Sequence, residues 1–168
     1  MSPAVSTHTG LLNQLRERLA ETGLTAVPDD VLHRLALLVG EDEVRFVDGV
    51  FRGDEGAVLL GHAMVFTSTR AIRAVWQFGP RRRDSSSADA QCWGRHTLRE
   101  IRIPRGSSES DGNLDLGWSA DDGDGWPPDG KIRLTYDSKT FVLPLGPDPS
   151  PAHGRRLRAF LSELLDDL

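Results

Sequence analysis

Two polar segments carry the side chains best suited to binding chemistry. Arg81, Arg82 and Arg83 stand together in the stretch 79–90, GPRRRDSSSADA. Adjacent guanidinium forks match the geometry of phosphate and carboxylate groups. Trp118 and Trp126 lie at the acidic segment SADDGDGWPPDG, residues 119–130. Tryptophan is favoured at the centres of protein interfaces, so both are candidate anchors for a partner. Ordinary packing or a solvated loop is the competing explanation for all five.

The charge layout points the same way. From Arg70 to Arg105 there are nine Arg and three acids, whereas Glu109 to Asp129 holds seven acids and no base. If each stretch shows one face, the protein is electrically polarised. Arginine bias weakens this reading, because the whole chain carries 18 Arg and only 2 Lys. Such a ratio reads as codon bias from a GC-rich genome, expected to be bacterial, before it reads as function.

Other constellations carry less. Asp111, Asn113 and Asp115 have the 1-3-5 spacing of a calcium loop. The sixth position is Leu116 where the turn requires glycine, and the twelfth is Asp122 in place of glutamate. Alternating Leu114, Leu116 and Trp118 favour a strand there. The histidines His8, His33, His62, His96 and His153 show no paired metal spacing, and Cys92 with His96 has no closing pair. Cys92 also lacks the base and orienting group that a nucleophile requires. No glycine-rich loop of the right charge precedes a helix. No metal, cofactor or catalytic residue is therefore expected. Ser85, Ser86 and Ser87 follow Arg83-Asp84 and form a candidate phosphorylation segment, where added phosphate would reverse the local charge.

The bulk properties set limits. A chain of 168 residues can bury a sizeable core without disulfides, and the single Cys92 permits none within the chain. A net charge of −5 and a pI near 5.5 argue against bulk attraction to nucleic acid or anionic membranes. No basic-then-apolar leader is visible, and no run approaches the roughly 18 apolar residues of a spanning helix. The expected location is the cytosol, with the membrane periphery as an alternative.

The elements that must position these residues follow from hydrophobic periodicity. Residues 1–9 are small and polar and are expected to lack structure. Leu11, Leu12, Leu15 and Leu19 fall at helical spacing, and Gly23 stops the run. A second helix should start at Asp29 or Asp30, with an acidic cap, and end at Gly40. Period two then takes over. Val44, Phe46 and Val50 share one face of a first strand. Val58, Leu60, Met64 and Phe66 share one face of a second, with Leu59 and Val65 opposite. Ile72, Ala74, Trp76 and Phe78 alternate in a third. Residues 79–90 read as a long polar connection, and strand character returns around Trp93–Ile103. Residues 131–145, KIRLTYDSKTFVLPL, form a hairpin with Asp137-Ser138-Lys139 near its turn. A last helix is capped by Ser150 and carries the stripe Leu157, Phe160, Leu161, Leu164, Leu165 and Leu168.

This order resembles a bacterial pleckstrin-homology-like domain over roughly residues 41–168. The acidic turn Gly40–Glu43 resembles the family's opening. The stretch VLLGHAMVFTSTRAIRAVW resembles its second and third strands, joined by a tight reversal at Thr67-Ser68-Thr69-Arg70. Leu98-x-x-Ile101-x-Ile103 resembles the fourth, and Phe141–Leu145 precedes the terminal helix. A helical N-terminal extension, here residues 1–40, also occurs among bacterial members. The resemblance implies a module that binds lipid headgroups, peptides or protein surfaces, without catalysis. Lipid-binding relatives crowd basic residues into the first hairpin, whereas its turn here is Arg52-Gly53-Asp54-Glu55.

The expectation is thus an α+β protein. Two helices precede a strongly bent antiparallel β-sandwich, or partly open barrel, of about seven strands with a C-terminal helix capping it. The expected function is non-catalytic protein–protein interaction of the adaptor or scaffold type, with docking at a sheet edge or at the loop end. The alternative is peripheral membrane or anionic-ligand binding through Arg81–Arg83. The N-terminal helices could serve as a tether or a homo-oligomer surface.

Overall fold

The computed structural model describes residues 3–53, 59–78, 85–103, 131–137, 139–147 and 149–168. They form an α+β structure of three helices and two antiparallel sheets, of four and three strands, and neither sheet closes into a barrel. Two compact units divide the chain, Met1–Arg95 and His96–Leu168. The N-terminal helices belong to the first unit together with the four-stranded sheet.

Helix α1 spans Pro3–Ala20 and α2 spans Asp29–Val39. The start of α1 corrects the expectation of an unstructured residue 1–9 segment. Proline is pre-set for the first helical turn, and once a helix is nucleated each added residue gains a bond. The expected acidic cap of α2 is not made: Pro28 occupies that position without a side-chain hydrogen bond. The Asp29 carboxylate instead pairs with Arg16 at 3.0 Å, and Asp30 turns toward a strand.

Strands β1 (Val44–Arg52), β2 (Leu60–Thr67), β3 (Arg70–Phe78) and β4 (Ser85–Gly94) pair in chain order. One face of this sheet joins the helices in a single core. Leu15, Leu19, Val31, Leu32, Leu35 and Val39 meet Val47, Ala63, Val65, Ile72, Ala74 and Trp76 there. The buried apolar residues of α1 and α2 thus share one core with the sheet. Trp76 lies flat across its partner Gly61, where a Cβ would collide with the indole. Phe78 packs at 5.9 Å from Trp76 and at 5.4 Å from Phe51, ring centre to ring centre.

Val44 and Phe46 do not share a face as expected. The register shifts between them, so Val44 pairs with Thr67 and Phe46 with Phe66. One extra residue in β1 switches the side from which its side chains emerge. Val44 consequently joins the helix-side core, while Phe46, Met64 and Phe66 are buried on the other face.

The second unit contains β5 (Leu98–Arg102), β6 (Ile132–Tyr136) and β7 (Lys139–Leu143), preceded by a 3-10 turn at Arg95–Thr97. The hairpin forms as expected, with Asp137 at φ +46 in the left-handed region that aspartate tolerates. Ile132, Leu134 and Tyr136 are buried, as are Phe141, Leu143 and Leu145. Helix α3 spans Pro151–Leu165, and the Ser150 hydroxyl accepts from the His153 N–H at 3.2 Å as expected. Its buried stripe is narrower than the sequence suggests: Leu157, Phe160 and Leu164 are buried, whereas Leu165 and Leu168 at the chain end are exposed. Among the described residues no helix is long and apolar enough to cross a membrane.

Candidate functional site

Arg81, Arg82, Arg83, Trp118 and Trp126 lie outside the described residues, as do the acidic segment 109–129 and the Arg52–Glu55 turn from Asp54 onward. Ser85, Ser86 and Ser87 do not lie in a loop. They open β4, a strand of ten residues that takes up the second half of the expected 79–90 connection and runs on to Gly94. The Ser85 hydroxyl donates to the Asp30 carboxylate of α2, which fixes the start of the strand. The Ser86 hydroxyl donates to Gln77 O at 3.4 Å.

β4 is the edge of its sheet, and among the described residues no strand pairs with its outer side. An edge strand offers a row of main-chain donors and acceptors to any extended segment, and natural proteins usually defend such edges. The other three edges carry visible defences. β1 has the irregularity at Arg45 and receives the Arg18 guanidinium on Val44 O at 2.9 Å. β5 has only five residues, three of them charged. β7 also has five, opens on Lys139 and is followed by Pro144. β4, with sequence SSSADAQCWG, has no proline, no basic residue and one acid, and its one irregularity lies at Ser86 near its start, so that Ser87 to Gly94 pair regularly with Gln77 to Arg70. Ser86, Ser87, Asp89, Gln91 and Cys92 are exposed along it. Ala88 and Ala90 face the helix-side core beside Trp76 and Ala74. Partial burial of the sulfur pushes the Cys92 thiol pKa up, which disfavours the reactive thiolate.

At the β2–β3 reversal the sheet is held by a dense polar junction. It joins Gly40–Glu43 to Thr67–Arg70. Asp42 accepts from the Thr67 hydroxyl at 2.9 Å and from the Thr69 hydroxyl. Glu43 O accepts from the Ser68 N–H at 2.9 Å. Arg70 Nη1 donates to Leu38 O and Val39 O, at 2.9 and 3.0 Å, and so closes the C-terminus of α2. Gly40 follows at φ +61, with Arg70 Nη1 lying where a Cβ would crowd it. The buried Arg95 adds a bond from Nη1 to Thr67 O at 3.0 Å and one from its N–H to Thr69 O at 2.8 Å. The Thr69 hydroxyl contributes most to holding the Asp42 carboxyl below its usual pKa. Thr67 and Arg70 add to this, against opposing desolvation.

A second polar group lies on the sheet face away from the helices. Asp48 is 1 % exposed and caps the Gly49 N–H at 2.8 Å. His62 accepts at Nε2 from Arg73 Nε at 3.2 Å. Burial lowers the His62 pKa to about 4, helped by the charges of Arg73 and Arg52 and opposed by Asp48. The ring is therefore neutral at physiological pH and serves as an acceptor.

Among the described residues no group of three or more His, Cys, Asp or Glu is placed to hold a metal ion. The β4 edge was not visible as a site in the sequence, because it carries no motif and becomes an edge only through the strand order. Compared with known proteins, the chain matches no family model and no curated protein.

Proposed function

We propose that this chain is a non-catalytic binding module built on a pleckstrin-homology-like domain, and that it takes up an extended peptide segment of a partner protein along the outer edge of β4. The single observation that carries this reading is an edge strand whose regular stretch, Ser87 to Gly94, has neither a proline nor a basic residue. Strand addition draws affinity from main-chain hydrogen bonds and selectivity from alternate side chains. Ser86, Ser87, Ala88 and Ala90 keep the side chains small along the first part of β4. Support for a preformed docking edge comes from the junction at Asp42, Thr67, Arg70 and Arg95 and from the Ser85–Asp30 bond. Both fix the sheet before any partner arrives, which lowers the ordering cost of binding. The order of four strands, three strands and a terminal helix supports the family reading.

Displayed random peptides selected on the full chain test the proposal. Only every second amide of an added strand faces the edge. Backbone N-methylation at one alternating set of a selected peptide should therefore abolish binding, while the other set leaves it intact. Binding insensitive to methylation in both sets would overturn the strand-addition reading.

A further inference from the structure

The first two helices bring together two histidines that the sequence keeps far apart. His8 on α1 and His33 on α2 are neighbours, with ring centres 5.7 Å apart and planes inclined at 34°. Both side chains are exposed. His33 Nδ1 lies 2.6 Å from Asp29 O. A carbonyl oxygen can only accept, so Nδ1 carries the hydrogen and the lone pair of the neutral ring sits on Nε2. A backbone carbonyl behind one ring nitrogen is the arrangement that orients an imidazole for metal binding at the other.

We propose that His8 and His33 form a two-imidazole site for a borderline divalent transition-metal ion of the Zn²⁺, Ni²⁺ and Cu²⁺ class, for which imidazole is a preferred ligand. An ion about 2 Å from each ring nitrogen lies about 3.2 Å from each ring centre, so a tetrahedral angle between them would place the centres about 5.2 Å apart. The observed 5.7 Å is within a small side-chain adjustment of that value. Water completes the coordination. The bound ion ties α1 to α2 across the outer surface of the helical pair, on the side of α2 away from its buried residues.

The remaining histidines do not compete on equal terms. His62 Nε2 is engaged by Arg73, and His153 is buried. His96 is exposed and provides the internal control.

Calorimetric titration of the untagged full chain with Zn²⁺ or Ni²⁺ tests the site. One ion per chain is expected, with His8→Gln and His33→Gln each weakening it by at least about tenfold and His96→Gln leaving it unchanged. Ring-nitrogen NMR of the unmodified protein gives a readout without substitution: zinc should shift the His8 and His33 signals together. Absence of binding, affinity untouched by both substitutions, or zinc shifts confined to other histidines would each overturn the proposal.

Discussion

Asp42 and Thr67 are joined by a 2.9 Å hydrogen bond that ties the turn after α2 to the β2–β3 reversal. The same carboxylate accepts from Thr69 and lies 3.8 Å from Arg70. Replacing Asp42 by Asn keeps the shape but removes the charge and one acceptor. Loss of charge-assisted bonds at this partly exposed site should cost about 1–2 kcal/mol in denaturant unfolding. Asp42 is held below its ordinary value of 3.8, so its contribution is present above the unfolded-state pKa and is lost as pH falls through the lower folded value. Acid unfolding of Asp42→Asn should therefore show a shallower slope below pH 3.8.

His62 governs a different pH window. Its folded pKa lies near 4 against an ordinary 6.5, so the folded state prefers the neutral ring. Stability from this group is complete above 6.5, falls as the unfolded chain takes up the proton and levels off below about 4. His62→Gln retains an acceptor for Arg73 without the titration. Its stability should change less between pH 6.5 and 4, by on the order of 2 kcal/mol once partial exposure is discounted. Urea midpoints measured across that range check the difference.

Gly61 has no space for a side chain beneath the Trp76 indole. Gly61→Ala must displace that ring from a packed core, at a cost of about 1–3 kcal/mol. The near-ultraviolet circular dichroism of the tryptophan should change with it, while the melting temperature drops.

Ser85 and Ser87 should respond differently to negative charge. Ser85 donates to the Asp30 carboxylate, whereas Ser87 is exposed in mid-strand. Ser85→Glu places two carboxylates together and removes the donor, with an expected loss of about 1–2 kcal/mol. Ser87→Glu should stay within about 0.5 kcal/mol of the parent, as surface changes usually do. Phosphorylation at these two serines would differ in the same sense.

Much of this frame is legible in the residues because burial on one face leaves a period. Ile72, Ala74 and Trp76 alternate and all face the helices. The 131–145 hairpin shows the same pattern on both arms. β4 escapes detection for the converse reason. Ala88 and Ala90 are the residues it packs against the core, and five other positions are exposed, so no apolar period announces it. The face switch between Val44 and Phe46 is hidden because both are apolar, and only the pairing partner reveals the extra residue. Asp30 offers a helix cap by its position, but a hydroxyl from a strand distant in sequence takes its carboxylate. The candidate anchors Arg81–Arg83, Trp118 and Trp126 fall outside the described residues.

Amide hydrogen exchange with and without a selected extended peptide tests the central claim most directly. Strand addition should slow exchange along β4, over residues 86–92, and leave the β1 edge unchanged. Slowing confined to α1, α2, the second sheet or the 79–84 segment, with β4 unaltered, would contradict a docking site on the β4 edge.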